Sequence, residues 1–257
     1  MKVLMILMSF LMVSCSSLKS REVKYSTETT NMNGYLAKSS KFTGKRPGII
    51  IVHEWWGHNE YVRHRADMLA ELGYVAFALD MYGDGKQAEH PKDAGNFAMA
   101  VMKNQKEAGK RFQKAIEALK NDPDVDQTKI AAIGYCFGGG VVLAMATSGF
   151  DLAGVVSFHG SLGHIKSVSK SAKAKYLVLN GEADPMVTAK DIKNFKKVMK
   201  KSRSDLKFVN YPNALHAFTN PRATEIGQKF NIPIAYNEQA DKASWSEMKT
   251  FLNNIFN

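Results

Sequence analysis

Cysteine is almost absent from this chain. Only Cys15 and Cys136 occur in 257 residues, so no disulfide framework can hold the fold, and an apolar core must do so. The 7 prolines and 19 glycines are few, and no low-complexity tract or repeat at a solenoid period is present. Collagen-like, linker-like and repeat architectures are thereby excluded. The apolar run Val3 to Val13 covers only about half of a membrane span, which excludes a transmembrane helix there. The seven histidines are scattered. His53-Glu54 and His58 superficially resemble the zinc motif H-E-x-x-H, but the two histidines are five apart across Gly57, whereas zinc ligation needs i and i+4 on one helix face. No metal and no cofactor are expected. Basic residues do outnumber acidic ones, 35 to 24, giving a formal charge of +11. Yet the lysines are spread out, and their densest runs, Lys166 to Lys175 and Lys193 to Lys201, carry no interleaved aromatics. They read as solvated helix faces with at most a loose attraction to anionic surfaces, and no nucleic-acid partner is expected.

What is present begins at the N-terminus. Met1-Lys2 leads into the apolar run and then into Ser14-Cys15-Ser16-Ser17, the layout of a secretory signal over residues 1–14. Ser14-Cys15 resembles the lipobox of bacterial lipoproteins, with Met12 where that motif usually has leucine. The resemblance implies cleavage before Cys15 and lipidation of Cys15. The chain is therefore expected to be an exported, membrane-anchored lipoprotein of the bacterial cell envelope, with a secreted soluble form or an uncleaved anchor as the alternatives. Cys136 would then be the sole thiol in an oxidising compartment, retained through burial or for chemistry.

Glu22 to Ser26 and Tyr35 to Ser39 flank the turn-rich Asn31-Met32-Asn33-Gly34 and read as an antiparallel opening pair. Thereafter short apolar runs without polar alternation occur at residues 48–53, 74–80, 130–135, 153–159, 176–180 and 206–211, as expected of parallel strands buried on both faces. Segments of helical spacing separate them, at residues 62–72, 93–120, 139–147, 189–200 and 238–255. This alternation predicts one α/β domain, a mostly parallel doubly wound sheet flanked by helices with a short antiparallel start. The domain is expected over residues 33–257, with residues 15–32 as a tether. Ligands of such sheets gather at the carboxyl ends of the strands.

Gly134-Tyr135-Cys136-Phe137-Gly138 stands where the run 130–133 passes into a helix. This is the nucleophile elbow G-x-[S/C]-x-G, in which glycines clear the crowded turn and the reactive side chain is pushed into the cleft. The helix N-terminus beside it favours thiolate, and the Phe137 N–H points where an oxyanion would form. Asp184 follows the strand ending at Asn180 and can orient an imidazole. His216 follows the last core strand and is the natural general base. The order nucleophile, acid, histidine is that of α/β-hydrolases.

Those three loops resemble the dienelactone hydrolase family, together with His53-Glu54-Trp55-Trp56-Gly57, Leu79-Asp80-Met81-Tyr82, His216-Ala217-Phe218 and Ala235-Tyr236-Asn237. The resemblance implies an α/β-hydrolase fold and a Cys-Asp-His triad of Cys136, Asp184 and His216. It also implies that Glu54 accepts the thiol proton when substrate arrives and that the Trp55 N–H is the second oxyanion donor. A carboxylate so close would keep the resting sulfur neutral. Trp56, Tyr82, His159 and Phe218 are expected to line the pocket. Enzymes of this family that cleave dienelactone hold its carboxylate with two arginines. At those positions this chain has Asp84 and Asn220, with Lys86 and Arg222 the nearby cations.

The expected activity is hydrolysis of carboxylic esters or lactones through a thioester, by a monomer acting on a small molecule other than anionic dienelactone. The alternative is a non-catalytic, surface-anchored binding protein on the same scaffold.

Overall fold

A computed structural model describes residues 17–257; the signal expected over residues 1–14 and Cys15 lie outside the described residues. The chain opens with the hairpin β1 (Leu18–Ser26) and β2 (Asn31–Ser39). It continues through β3 (Arg46–Val52), α1 (Glu60–Glu71), β4 (Val75–Leu79), α2 (Pro91–Lys103), α3 (Gln105–Lys120) and β5 (Val125–Tyr135). The second half runs α4 (Phe137–Thr147), β6 (Gly154–Phe158), β7 (Lys175–Gly181), α5 (Ala189–Lys201), β8 (Leu206–Tyr211), α6 (Ala223–Phe230) and α7 (Glu238–Phe256). The strands form one sheet in the order β1-β2-β4-β3-β5-β6-β7-β8. β1 and β2 are antiparallel to their neighbours, and β3 to β8 pair in parallel.

The unbroken apolar runs follow from burial on both faces. In β3, Ile50 and Val52 join the cluster containing Phe112, Val142 and Phe195 of α3, α4 and α5, whereas Ile49 and Ile51 join Val62, Leu69, Met248 and Leu252 of α1 and α7. Each residue therefore meets a helix on whichever side it points. The central strands are sandwiched between helices, which leaves the ends of the strands open among the described residues. The parallel strands all finish at the same end, where Cys136, Asp184 and His216 emerge.

Three expectations need correction, and one element goes beyond them. The hairpin turn lies at Thr27–Thr30, closed by Thr27 N–H donating to Thr30 O at 3.0 Å, and Asn31–Gly34 belongs to β2. Residues 18–26, expected within a tether, form the edge strand β1, paired with β2 along its whole length. The long helix expected at 93–120 breaks at Asn104, whose side chain accepts from Glu107 N at 3.2 Å and caps α3. The short helix α6 had no counterpart in the sequence pattern.

Candidate active site

β5 ends at Tyr135, α4 begins at Phe137, and Cys136 between them has φ 54° and ψ −116°. That left-handed φ is strained for a residue with a side chain and persists only where its surroundings enforce it. The glycines allow the enforcement. A Cβ on Gly134 would stand 2.1 Å from the carbonyl oxygen of Gly138, and one on Gly138 would stand 2.3 Å from that of Val52. The Cys136 N–H donates to Phe158 O at 3.0 Å and to His159 Nδ1 at 3.1 Å, which pins the turn to the end of β6. Cys136 itself is half-buried.

Asp184 and His216 come together from loops 32 positions apart. His216 Nδ1 donates to Asp184 Oδ2 at 2.7 Å, while Asp184 Oδ1 accepts from Met186 N at 2.8 Å. Both side chains are buried. His216 Nε2 is buried as well and, among the described residues, has no hydrogen-bond partner. Burial alone would discourage a proton on His216. Beside an ionised Cys136, the attraction of that sulfur and the Asp184 hydrogen bond outweigh burial and raise the His216 pKa well above the ordinary histidine value. The histidine loop is fixed from behind, since Ala235 N–H donates to His216 O at 3.2 Å and Asn237 N–H to Phe218 O at 3.0 Å.

Cys136 and His216 share a cavity of about 60 Å³ with Glu54, Trp55, Trp56 and Met186, closed on the far side by Ala217 and Ile232–Ile234. Glu54 follows β3 and is buried; its Oε2 accepts from Asn220 Nδ2 at 2.6 Å and its Oε1 has no partner. Burial pushes the carboxyl up to about 7, against the pull of the Asn220 hydrogen bond and of the nearby His216. Near neutral pH it is therefore divided between its two protonation states, and repels a thiolate less than a fully ionised glutamate would. Among the described residues, neither the Phe137 N–H nor the Trp55 N–H has an acceptor in the protein.

The predicted pocket residues divide. Trp56 lines the cavity. Tyr82 instead donates to Trp55 O at 3.0 Å and lines a separate surface groove with Lys86. His159 and Phe218, both 0% exposed, do not reach the cavity. They lie beneath it because the residues that end β6 and follow His216 turn into the helix-covered side of the sheet. His159 receives the Cys136 N–H, so its Nε2 carries the proton and bonds Thr219 Oγ1 at 2.8 Å. Thr219 Oγ1 meets Tyr61 Oη at 2.6 Å, and the buried Arg65 donates to Tyr61 Oη, Thr219 O and Asp241 Oδ1. This network ties the elbow to the histidine loop. Its members, and Asn220, Met186 and Ile232–Ile234 at the cavity, went unread in the sequence because they belong to no motif. Asn220 stood out there only as a neutral residue where the family has an arginine.

No lysine or arginine lines the Cys136 cavity among the described residues. Lys86 pairs with Asp84 at 3.3 Å, and Arg222 lies in a broad groove of about 590 Å³ on the outer side of Trp56. The nitrogens of His53 and His58 are engaged inside the protein. His53 Nε2 accepts from Met81 N at 3.2 Å, leaving Nδ1 to donate to Glu54 O, and His58 Nε2 donates to Ala78 O at 3.1 Å. Burial lowers the pKa of both, that of His58 to about 4.

The family model described as "Dienelactone hydrolase family" matches residues 32–256. A solved structure titled "m3DLH" superposes with a TM-score of 0.88 at 31% identity, covering 93% of this chain and 99% of the other. A dienelactone hydrolase-like promiscuous phosphotriesterase, P91, from metagenomic libraries superposes at 0.85 with 30% identity over 93% and 99%. Protein usf of Aquifex pyrophilus is 28% identical over 220 residues, 84% of this chain and 94% of its own.

Proposed function

Because the chain belongs to the dienelactone hydrolase family and is an ester-bond hydrolase, we propose that Cys136, His216 and Asp184 form its triad and hydrolyse neutral esters or lactones through a thioester on Cys136. The observation that carries this reading is the 2.7 Å bond from His216 Nδ1 to Asp184, with the unpartnered Nε2 turned into the cavity that Cys136 lines. The imidazole is thereby fixed in one tautomer, with its free nitrogen available to move a proton between sulfur, leaving group and water.

In the proposed cycle the thiol proton passes to His216 Nε2, directly or relayed through Glu54, and the sulfur adds to the acyl carbon. The unpartnered amides of Phe137 and Trp55 receive the developing oxyanion. The carbon–oxygen bond then breaks, the departing alkoxide takes a proton from His216, and an acyl thioester remains. Water, deprotonated by His216 while Asp184 holds the imidazolium, releases the acid and restores the thiol. Glu54, balanced near neutrality, suits both uptake and return of a proton.

Thiolate is itself a good leaving group, so the tetrahedral adduct reverts unless the other oxygen departs easily. Enol, aryl and strained lactone esters are the expected substrates, and amides are expected to be poor. A cavity without a cation argues against anionic substrates, dienelactone among them, since a buried carboxylate would go unpaired. The apolar run before Cys15 supports an exported, envelope-anchored chain.

A kinetic panel tests the reading. Neutral aryl acetates should be turned over faster than the same esters bearing a carboxylate, and Cys136→Ala should abolish turnover of both. Equal turnover by Cys136→Ala would remove the assignment.

A further inference from the structure

We propose that the end of the sheet opposite the active site is a membrane seat, on which Phe42, Leu72 and Tyr74 rest against a lipid bilayer while the Cys136 cavity faces the aqueous phase. The inference rests on the reading of the chain as envelope-anchored through Cys15 and is independent of the catalytic reading.

Four large apolar side chains are conspicuously exposed among the described residues: Phe42, Leu72, Met99 and Met186. Met186 borders the Cys136 cavity. Phe42 and Leu72, 39% and 40% exposed, instead share a shallow groove with Tyr74 and Phe256 at the end where β3 and β4 begin. Gly73, at φ 97°, carries no side chain and so leaves room for the Phe42 ring, which a Cβ there would meet at 3.2 Å. Phe42, Leu72 and Tyr74 thus form one small apolar cluster at this pole, set among Lys41, Arg46 and Asn253.

The course of the chain indicates what covers it. Ser17 is tied to the same pole: Ser40 N–H donates to Ser17 O at 2.7 Å and Ser40 Oγ to the same oxygen at 3.0 Å. Phe42 is two residues beyond Ser40, and Cys15 is two residues before Ser17. Two residues reach at most about 7 Å, so a lipid on Cys15 would hold this pole of the domain beside the bilayer. The first strand therefore acts as a short strut rather than a flexible leash, its nine residues paired with β2.

Charge at this pole is mixed. Lys19, Lys41 and Lys45 are exposed without a carboxylate in salt-bridge range among the described residues, and the exposed Glu71 precedes Leu72 at the end of α1. The three ammonium groups can meet lipid phosphates, while the apolar pair enters the interface. One lipid chain alone holds a protein only weakly, and a second contact of this kind makes the attachment lasting.

The orientation has a consequence for substrate. The seven residues of β3 separate the two poles by about 20 Å, so the cavity opens away from the bilayer that holds the protein. It would draw water-soluble esters from solution, not lipids from its own membrane.

The test uses the full chain, produced with its signal and reconstituted from detergent into phosphatidylethanolamine–phosphatidylglycerol vesicles. Amide hydrogen exchange is compared in the two states. The seat predicts slower exchange in vesicles at residues 40–46 and 71–75, no change at residues 183–187 and 230–236 beside the cavity, and retained hydrolysis of a soluble aryl acetate. In the double variant Phe42→Ser, Leu72→Ser, hydrolysis should persist and the added protection should be lost. In vesicle-bound protein, absence of protection at residues 40–46 and 71–75, or protection beside the cavity instead, would overturn the seat alone, whereas absence of vesicle association would overturn the anchoring reading and the seat with it. Loss of hydrolysis in the wild-type chain with protection intact would count against the triad reading and leave the seat standing.

Discussion

Replacing Glu54 by glutamine should make the protein more stable at alkaline pH and less active, and the structure sets the size of the effect. The carboxyl ordinarily titrates near 4.5 and in the folded chain stands at about 7 because it is buried. The folded state thus holds the proton more tightly than the unfolded one. The resulting stability is complete below about 4.5 and is lost as pH rises through about 7. At 1.36 kcal/mol per pH unit the full loss is about 3 kcal/mol, and Glu54 is too well buried for solvent to screen much of it. Glutamine keeps the oxygen that accepts from Asn220 and never ionises. Any fixed penalty for its amide is the same at every pH, so the pH dependence of the difference isolates the carboxyl. Urea unfolding of both proteins between about pH 5 and about pH 8.5 should show the wild type losing roughly 2 to 3 kcal/mol more than Glu54→Gln. Parallel stability curves would refute the argument that burial of this carboxyl opposes folding at high pH.

Removing the Asn220 amide deprives ionised Glu54 of a donor, so Asn220→Ala should move the Glu54 limb of the pH–rate profile upward by roughly one to two pH units. A steady-state profile with an aryl acetate measures it. Arg65→Met strands Asp241 and the Thr219 carbonyl beneath the elbow; a loss of about 3 to 5 kcal/mol is expected, seen as a melting point lower by roughly 10 °C. Gly134→Ala cannot be accommodated without moving the backbone of Gly138. Turnover should collapse, with about 1 to 3 kcal/mol lost in unfolding experiments.

The parallel half of the fold was legible because burial on both faces leaves unmistakable apolar runs, and the observed β4, β6 and β8 lie within one residue or so of the expected spans. The elbow was legible for a different reason: its glycines are dictated by backbone contacts, which only glycine allows. The hairpin was misplaced because Asn31-Met32-Asn33-Gly34 has turn composition, yet Gly34 is required where the Phe77 ring crosses β2. The break at Asn104 was hidden because α2 and α3 both keep helical spacing. His159 and Phe218 were placed in the pocket because they follow the right strands. Which side of the sheet a strand-end residue enters depends on the local turn, and His159, at φ 40°, turns inward. Asn220 and Ile232–Ile234 reach the site by tertiary packing alone, across the isolated pairing of His216 with Ile234.

The central claim is that the acyl group passes through the sulfur of Cys136. The most direct measurement is peptide mass analysis of His216→Ala incubated with a neutral aryl acetate, since that variant can acylate slowly through Glu54 but lacks the base for deacylation. The account predicts one acyl group on the peptide containing Cys136, labile to hydroxylamine. An acyl group on another residue, or rapid turnover with Cys136 blocked by alkylation, would contradict it.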